Sequence, residues 1–267
     1  MTWPSPPPGQ QLRREAGGTL GERQLHPLSW EDLRDKPDLS AMLDHPMLNR
    51  RKWVYSAIDA FGSSILGEWL SVTAGGGVGT LNSVGGAVEI KTSTGIGNYD
   101  TLCAGNIQTY LPWDLDRYPH FEVLIAFSQA VGTSAVRHIG FAEDHALAAP
   151  TDLACFRATG AGNIFAVTRT GGSETAQDTG LTSTSSLNVR RIFEVWADTL
   201  GTRVGFAIWN DNSPTRSLVF GPLYLTATIP TGSLAAGISV KNDGDAAARG
   251  IQIDYGEVYQ LRQGQNP

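Results

Sequence analysis

Residues Val189–Trp209 read VRRIFEVWADTLGTRVGFAIW. Val189, Arg191, Phe193 and Val195 fall on one side, and Ile192, Glu194 and Trp196 on the other. After a short break, Val204, Phe206 and Ile208 alternate against Arg203, Ala207 and Trp209. A period of two belongs to a β-strand with one face in a core. Asp198-Thr199-Leu200-Gly201-Thr202 between the two runs reads as a hairpin turn.

The same rhythm extends in both directions. Phe121, Val123, Ile125 and Phe127 alternate with Glu122, Leu124, Ala126 and Ser128. Ile251, Ile253 and Tyr255 alternate with Gln252 and Asp254. Further strands are expected near 65–72, 87–92, 101–110, 135–142, 153–159, 163–169, 218–225 and 235–241. Asn210-Asp211-Asn212-Ser213-Pro214 and Asn242-Asp243-Gly244-Asp245 are among the turn clusters that separate them. About a dozen short strands predict an all-β fold, an antiparallel jelly-roll β-sandwich. Strands do not alternate with long helices, which argues against a parallel α/β sheet.

Composition divides the 267 residues in two. Residues 1–60 hold eight basic and eight acidic residues and half of the 14 prolines. Residues 61–267 carry the whole net charge of −6 and 27 of the 31 glycines. The first part is expected to be a short helical and extended attachment segment. Pro4, Pro6, Pro7 and Pro8 favour an extended tip. Ser29 can cap a short helix over Trp30–Leu33, Pro37 and Asp38 can open a second, and a third is expected over Met47–Phe61. In that third stretch Leu48, Val54, Tyr55, Ile58 and Phe61 have helical spacing. Three short helices cannot bury much surface by themselves, so this part is expected to fold against something else. Residues 61–267 are expected to form the sandwich.

Several function classes are disfavoured. An acidic balance does not suit a nucleic-acid binder. No apolar run reaches the roughly 18 residues of a membrane helix, and the Pro-rich start lacks the features of a secretory signal. Cys103 and Cys155 read as two buried thiols, with a disulfide between them the alternative if their Cα atoms come within about 7 Å. No His pair shows zinc-motif spacing, and His138 reads as a structural histidine inside a strand. Gly75-Gly76-Gly77-Val78-Gly79 lacks the Lys-Ser/Thr of a phosphate loop, and Asp243-Gly244-Asp245 lacks the ligand series of a calcium loop. No cofactor and no metal site is expected.

Glycan hydrolysis would need two carboxylates about 5–10 Å apart. Glu194 with Asp198, and Asp254 with Glu257, are the sequence-level pairs. No strand carries a dense E-x-D-x-E stripe, so the expectation is that the chain is not an enzyme and has no catalytic residues. Trp113, Trp209 and Tyr224, set among polar or turn residues, are candidates for stacking on sugars.

Two stretches carry a resemblance. Leu28–Leu39 contains Trp30, Leu33, Lys36, Pro37 and Asp38, and resembles an element of tailed-bacteriophage tail-fibre and related virion proteins. The second part resembles the concanavalin-like jelly-roll modules of phage fibres, spikes and decoration proteins. The residues concerned are Gly67-Glu68-Trp69-Leu70, Val88-Glu89-Ile90, His120-Phe121-Glu122-Val123, Ile139-Gly140-Phe141 and Ile251–Val258. The resemblance implies a structural protein on the virion exterior. It implies attachment through Trp30, Leu33, Lys36, Pro37 and Asp38 to other virion proteins, and commonly a homotrimer. The displayed sandwich would then contact a host-surface polysaccharide. The competing readings are a carbohydrate-binding adhesin and a β-sandwich glycan hydrolase.

Overall fold

The computed structural model describes residues 54–59, 69–74, 87–92, 94–104, 113–128, 135–159, 162–183, 185–186, 188–198, 201–212, 215–244 and 250–261. Trp30, Leu33, Lys36, Pro37 and Asp38, expected to make the attachment, and the helices expected within 29–43, lie outside them. By its internal contacts the chain divides into Met1–Arg51 and Lys52–Pro267.

Among the described residues the second unit forms two seven-stranded sheets, with every ladder antiparallel. In the first sheet the order is β1 (Val54–Asp59), β14 (Gly250–Leu261), β5 (His120–Phe127), β10 (Arg191–Asp198), β11 (Arg203–Asn212) and β12 (Thr215–Leu225). Strand β3 (Val88–Lys91) pairs with the start of β14. The second sheet runs β2 (Trp69–Ala74), β4 (Tyr99–Ala104), β13 (Ala235–Asn242), β6 (Ala135–Ala142), β7 (Leu153–Ala158), β8 (Asn163–Thr170) and β9 (Ser173–Thr182). The all-β sandwich expected from the alternating runs is what forms, and β10 and β11 pair as neighbouring strands with Asp198 opposite Arg203.

The inward residues of both sheets make one core. Phe121, Val123, Ile125 and Phe127 of β5 meet Phe193 and Val195 of β10, Phe206 and Ile208 of β11, and Ile139, Phe141, Phe156, Ile238 and Val240 of the facing sheet. Phe156 joins the layers. Its ring stands edge-on to Phe193 at 5.2 Å and to Phe206 at 5.3 Å. Each such ring stabilises the fold by about 1.5–3 kcal/mol through burial, and an edge-on pair adds about 0.5–1.5 kcal/mol. Cys103 and Cys155 are buried free thiols, on β4 and β7.

Three local expectations change. Residues 54–59, read as part of a helix, form β1, because their backbone pairs with Gly256–Leu261 of β14. Strand β9 was missed, because Ser173–Thr182 has no apolar alternation and lies mostly exposed at a sheet edge. Tyr255 does not share a face with Ile251 and Ile253. The ladder pairs Ile253 with Ile125 but Tyr255 with Leu124, so Asp254 is a bulge that reverses the phase of β14. Beyond it, Tyr255, Glu257 and Tyr259 face outward while Val258 enters the core.

Candidate functional site

The reversal on β14 builds three rows across the outer face of the first sheet. One row aligns Tyr259, His120, Trp196, Gly205 and Tyr224. The next aligns Glu257, Glu122, Glu194 and Ala207. The third aligns Tyr255, Leu124, Ile192, Trp209 and Leu218. A row of carboxylates therefore lies between two rows containing aromatic rings. Directly opposed like charges destabilise a sheet unless something offsets them.

Each carboxylate has partners. The Arg216 guanidinium donates to both oxygens of Glu122, at 2.8 and 3.0 Å. His120 Nε2 lies 2.7 Å from Glu194 Oε1, and Trp209 Nε1 donates to Glu194 Oε2 at 2.8 Å. The Tyr255 hydroxyl donates to Glu257. Burial alone would raise the Glu194 pKa. The hydrogen bond and charge of His120, the Trp209 N–H and the charge of Arg216 outweigh it, so the carboxyl sits below its ordinary value. Pairing with Glu122 holds the Arg216 guanidinium above its ordinary value, against the opposing effect of burial.

Ring packing sets the row of aromatics. His120 stacks on Tyr259 with centroids 4.9 Å apart and planes 22° from parallel. Trp196 stands edge-on to Tyr224 at 5.8 Å. Trp196 lies over Gly205, where a Cβ would come within 2.1 Å of the indole. The Arg203 guanidinium covers the Tyr224 ring at 5.0 Å and pairs with Asp198.

Of the sequence-level candidates, Trp209 and Tyr224 reach this face, and Tyr224 is 42% exposed. Trp113 is fully buried and its backbone bridges Leu234, so its ring packs the core and offers no face to a ligand. The carboxylate pairs form differently from those read in the sequence. Asp198 pairs with Arg203 and Asp254 with Arg190, whereas Glu194 stands opposite Glu122. His120, Glu122 and Arg216 were not flagged. Their spacing in the chain, 74 residues from His120 to Glu194 and 94 from Glu122 to Arg216, gives no local motif. The signal present was the outward parity of His120 and Glu122 on a strand whose odd residues are apolar.

No protein-family model and no curated protein matches the chain. Solved structures do. A protein of unknown function, SO2946 from Shewanella oneidensis MR-1, is 13% identical, over 87% of this chain and 97% of that one, with a TM-score of 0.57. The CBM2 module of the evolved Dit of Lactobacillus casei BL23 phage J-1 is 6% identical over 80% and 99%, with a TM-score of 0.53. Arcelin-5, a lectin-like defense protein from Phaseolus vulgaris, is 6% identical over 78% and 99%, with a TM-score of 0.51. The second unit shares their antiparallel β-sandwich fold of jelly-roll type.

One expectation is corrected by the same comparison. The chain was expected not to be an enzyme. A beta-glucanase from Bacillus licheniformis is also among the matched structures, 15% identical over 78% and 98%, with a TM-score of 0.48. That expectation is withdrawn.

Proposed function

We propose that the outer face of the first sheet binds carbohydrate. The observation that carries this reading is the alternation of rows: Glu257, Glu122 and Glu194 between Tyr259, His120, Trp196 and Tyr224 on one side and Tyr255 and Trp209 on the other. A sugar presents apolar C–H faces and a rim of hydroxyls. Aromatic faces suit the first, and carboxylates, the Arg216 guanidinium and the His120 imidazole suit the second. The groups are held on adjacent strands and need little ordering on binding. The lectin-like fold of arcelin-5 and the CBM2 module of the phage Dit support the reading. A glycan array probed with the full chain should give a restricted set of binders, and Trp209→Ala should lose at least tenfold in affinity for them. An array with no binder, repeated with divalent cations present, would refute it.

The second reading places this module on the exterior of a phage-type virion, as a fibre, spike or decoration subunit in a homotrimer. The Trp30–Asp38 element supports it, together with the fold shared with a phage module. On this reading the segment before β1 attaches the subunit to other virion proteins. Deleting residues 1–51 should leave a soluble sandwich that no longer enters particles. A truncated chain that still entered them would overturn the assignment.

A further inference from the structure

We propose that His120, Glu122 and Glu194 bind one divalent transition-metal ion, with zinc the best-fitting choice. One donor atom from each, an imidazole nitrogen and two carboxylate oxygens, lies within 4.8 Å of the other two. Zinc holds such ligands at about 2.0–2.2 Å, which puts tetrahedral donors about 3.3–3.6 Å apart. His120 Nε2 and Glu194 Oε1, 2.7 Å apart, would exchange their hydrogen bond for the ion and separate to that spacing. His120 and Glu122 are two apart on β5, and Glu194 is directly opposite Glu122 on β10, so two paired strands fix all three positions.

A second observation is the unfavourable pairing itself. Glu122 and Glu194 are cross-strand neighbours, and Glu257 stands beyond Glu122 in the same row. Like charges so placed repel; Arg216 offsets part of this at Glu122, and an ion held between Glu122 and Glu194 would offset more. The surrounding groups already orient the donors, as the outer shell of a metal site does. The Tyr259 ring fixes the His120 plane. Trp209 holds Glu194 Oε2 and leaves Oε1 toward His120, and Arg216 steadies Glu122.

The side chains of His120, Glu194 and Glu122 are 18%, 21% and 13% exposed. Solvent therefore reaches the fourth coordination position, which suits an open zinc site of three protein ligands. A nitrogen donor and only three protein ligands fit zinc better than calcium, which takes six to eight oxygens.

The test titrates the untagged full chain, stripped with chelator, with zinc chloride alone in a calorimeter. One equivalent should bind. His120→Ala and Glu194→Gln should each weaken binding at least 30-fold, Trp209→Phe about tenfold, and Asp198→Asn should leave it unchanged. Cobalt substitution should give a visible d–d band that His120→Ala abolishes. Zinc should raise the unfolding midpoint of the wild-type chain and not of His120→Ala. Circular dichroism checks that the variants fold, and Glu122→Gln replaces Glu194→Gln if the latter does not. Absence of stoichiometric zinc binding, or wild-type affinity in His120→Ala, overturns the site.

Discussion

Glu122 and Glu194 stand opposite one another on β5 and β10, and different cationic or donor groups meet them. Arg216 reaches Glu122 from β12, and His120 and Trp209 meet Glu194. The Arg216 side chain is half exposed, so its pair with Glu122 contributes at most about 1 kcal/mol. Arg216→Ala should lower stability by up to that amount, because it removes the pair and uncovers the repulsion. Adding Glu122→Gln to Arg216→Ala should recover most of the loss. Urea unfolding of the two variants decides it. A double variant no more stable than Arg216→Ala would mean that the opposed carboxylates do not repel.

Gly205 is opposite Trp196, and the indole occupies the space a Cβ would need. The sheet accepts a glycine here, with its lower strand propensity, so that the tryptophan can lie flat across β11. Gly205→Ala should cost about 1–3 kcal/mol, the usual penalty for overpacking. It should also alter the near-ultraviolet circular dichroism of the tryptophans. In a Trp196→Ala background the same substitution should cost much less. Equal costs in both backgrounds would show that the indole is not what excludes the methyl group.

The sandwich was legible because most strands carry one apolar face. Phe121 to Phe127 and Phe193 to Ile208 announce it by parity alone. Strand β9 was not legible, because an exposed edge needs no apolar residues. It is held by backbone pairing to β8 and by Glu174 bridging Arg157 and Arg169. Strand β1 was misread because Val54, Tyr55 and Ile58 satisfy helical spacing and strand propensity alike, and only β14 settles the choice. The site was half legible. Glu194 and Trp209 could be flagged from one hairpin, but their partners come from strands whose register a single sequence does not reveal. The bulge at Asp254, which turns Tyr255, Glu257 and Tyr259 outward, leaves no mark in the local pattern.

Cys103 and Cys155 lie on strands separated by β13 and β6, and burial raises both thiol pKa values, that of Cys155 to about 12. A thiol that neither ionises nor meets solvent is a poor nucleophile. The native chain should therefore show no reaction with a disulfide reagent on the timescale of minutes, and two equivalents should react in denaturant. Fast reaction of either thiol under native conditions would require that its strand opens locally.

His138 on β6 and His145 beyond it are both buried. Burial lowers their pKa values to about 3 and about 4. For His138 the neighbouring His145, Arg157 and Arg169 push the same way, with Glu174 opposing. For His145 the hydrogen bond to the Ala235 carbonyl opposes the shift only in part. In the unfolded chain an imidazole titrates near 6.5. Above that pH both states are neutral and the two groups leave stability unchanged. As pH falls from about 6.5 towards 4, the unfolded chain takes up protons that the folded chain refuses, so stability drops. At pH 5 the loss should be on the order of 2 kcal/mol per imidazole, from 1.36 kcal/mol per unit of displacement. Most of this window lies above the carboxylate range, so the lowered Glu174 and Glu194 contribute mainly at more acid pH. Urea midpoints between pH 7.5 and 4.5 should fall steadily below 6.5, and His138→Gln should flatten the slope. A midpoint unchanged down to pH 5 would mean that the unfolded chain gains no protonation advantage at these two sites.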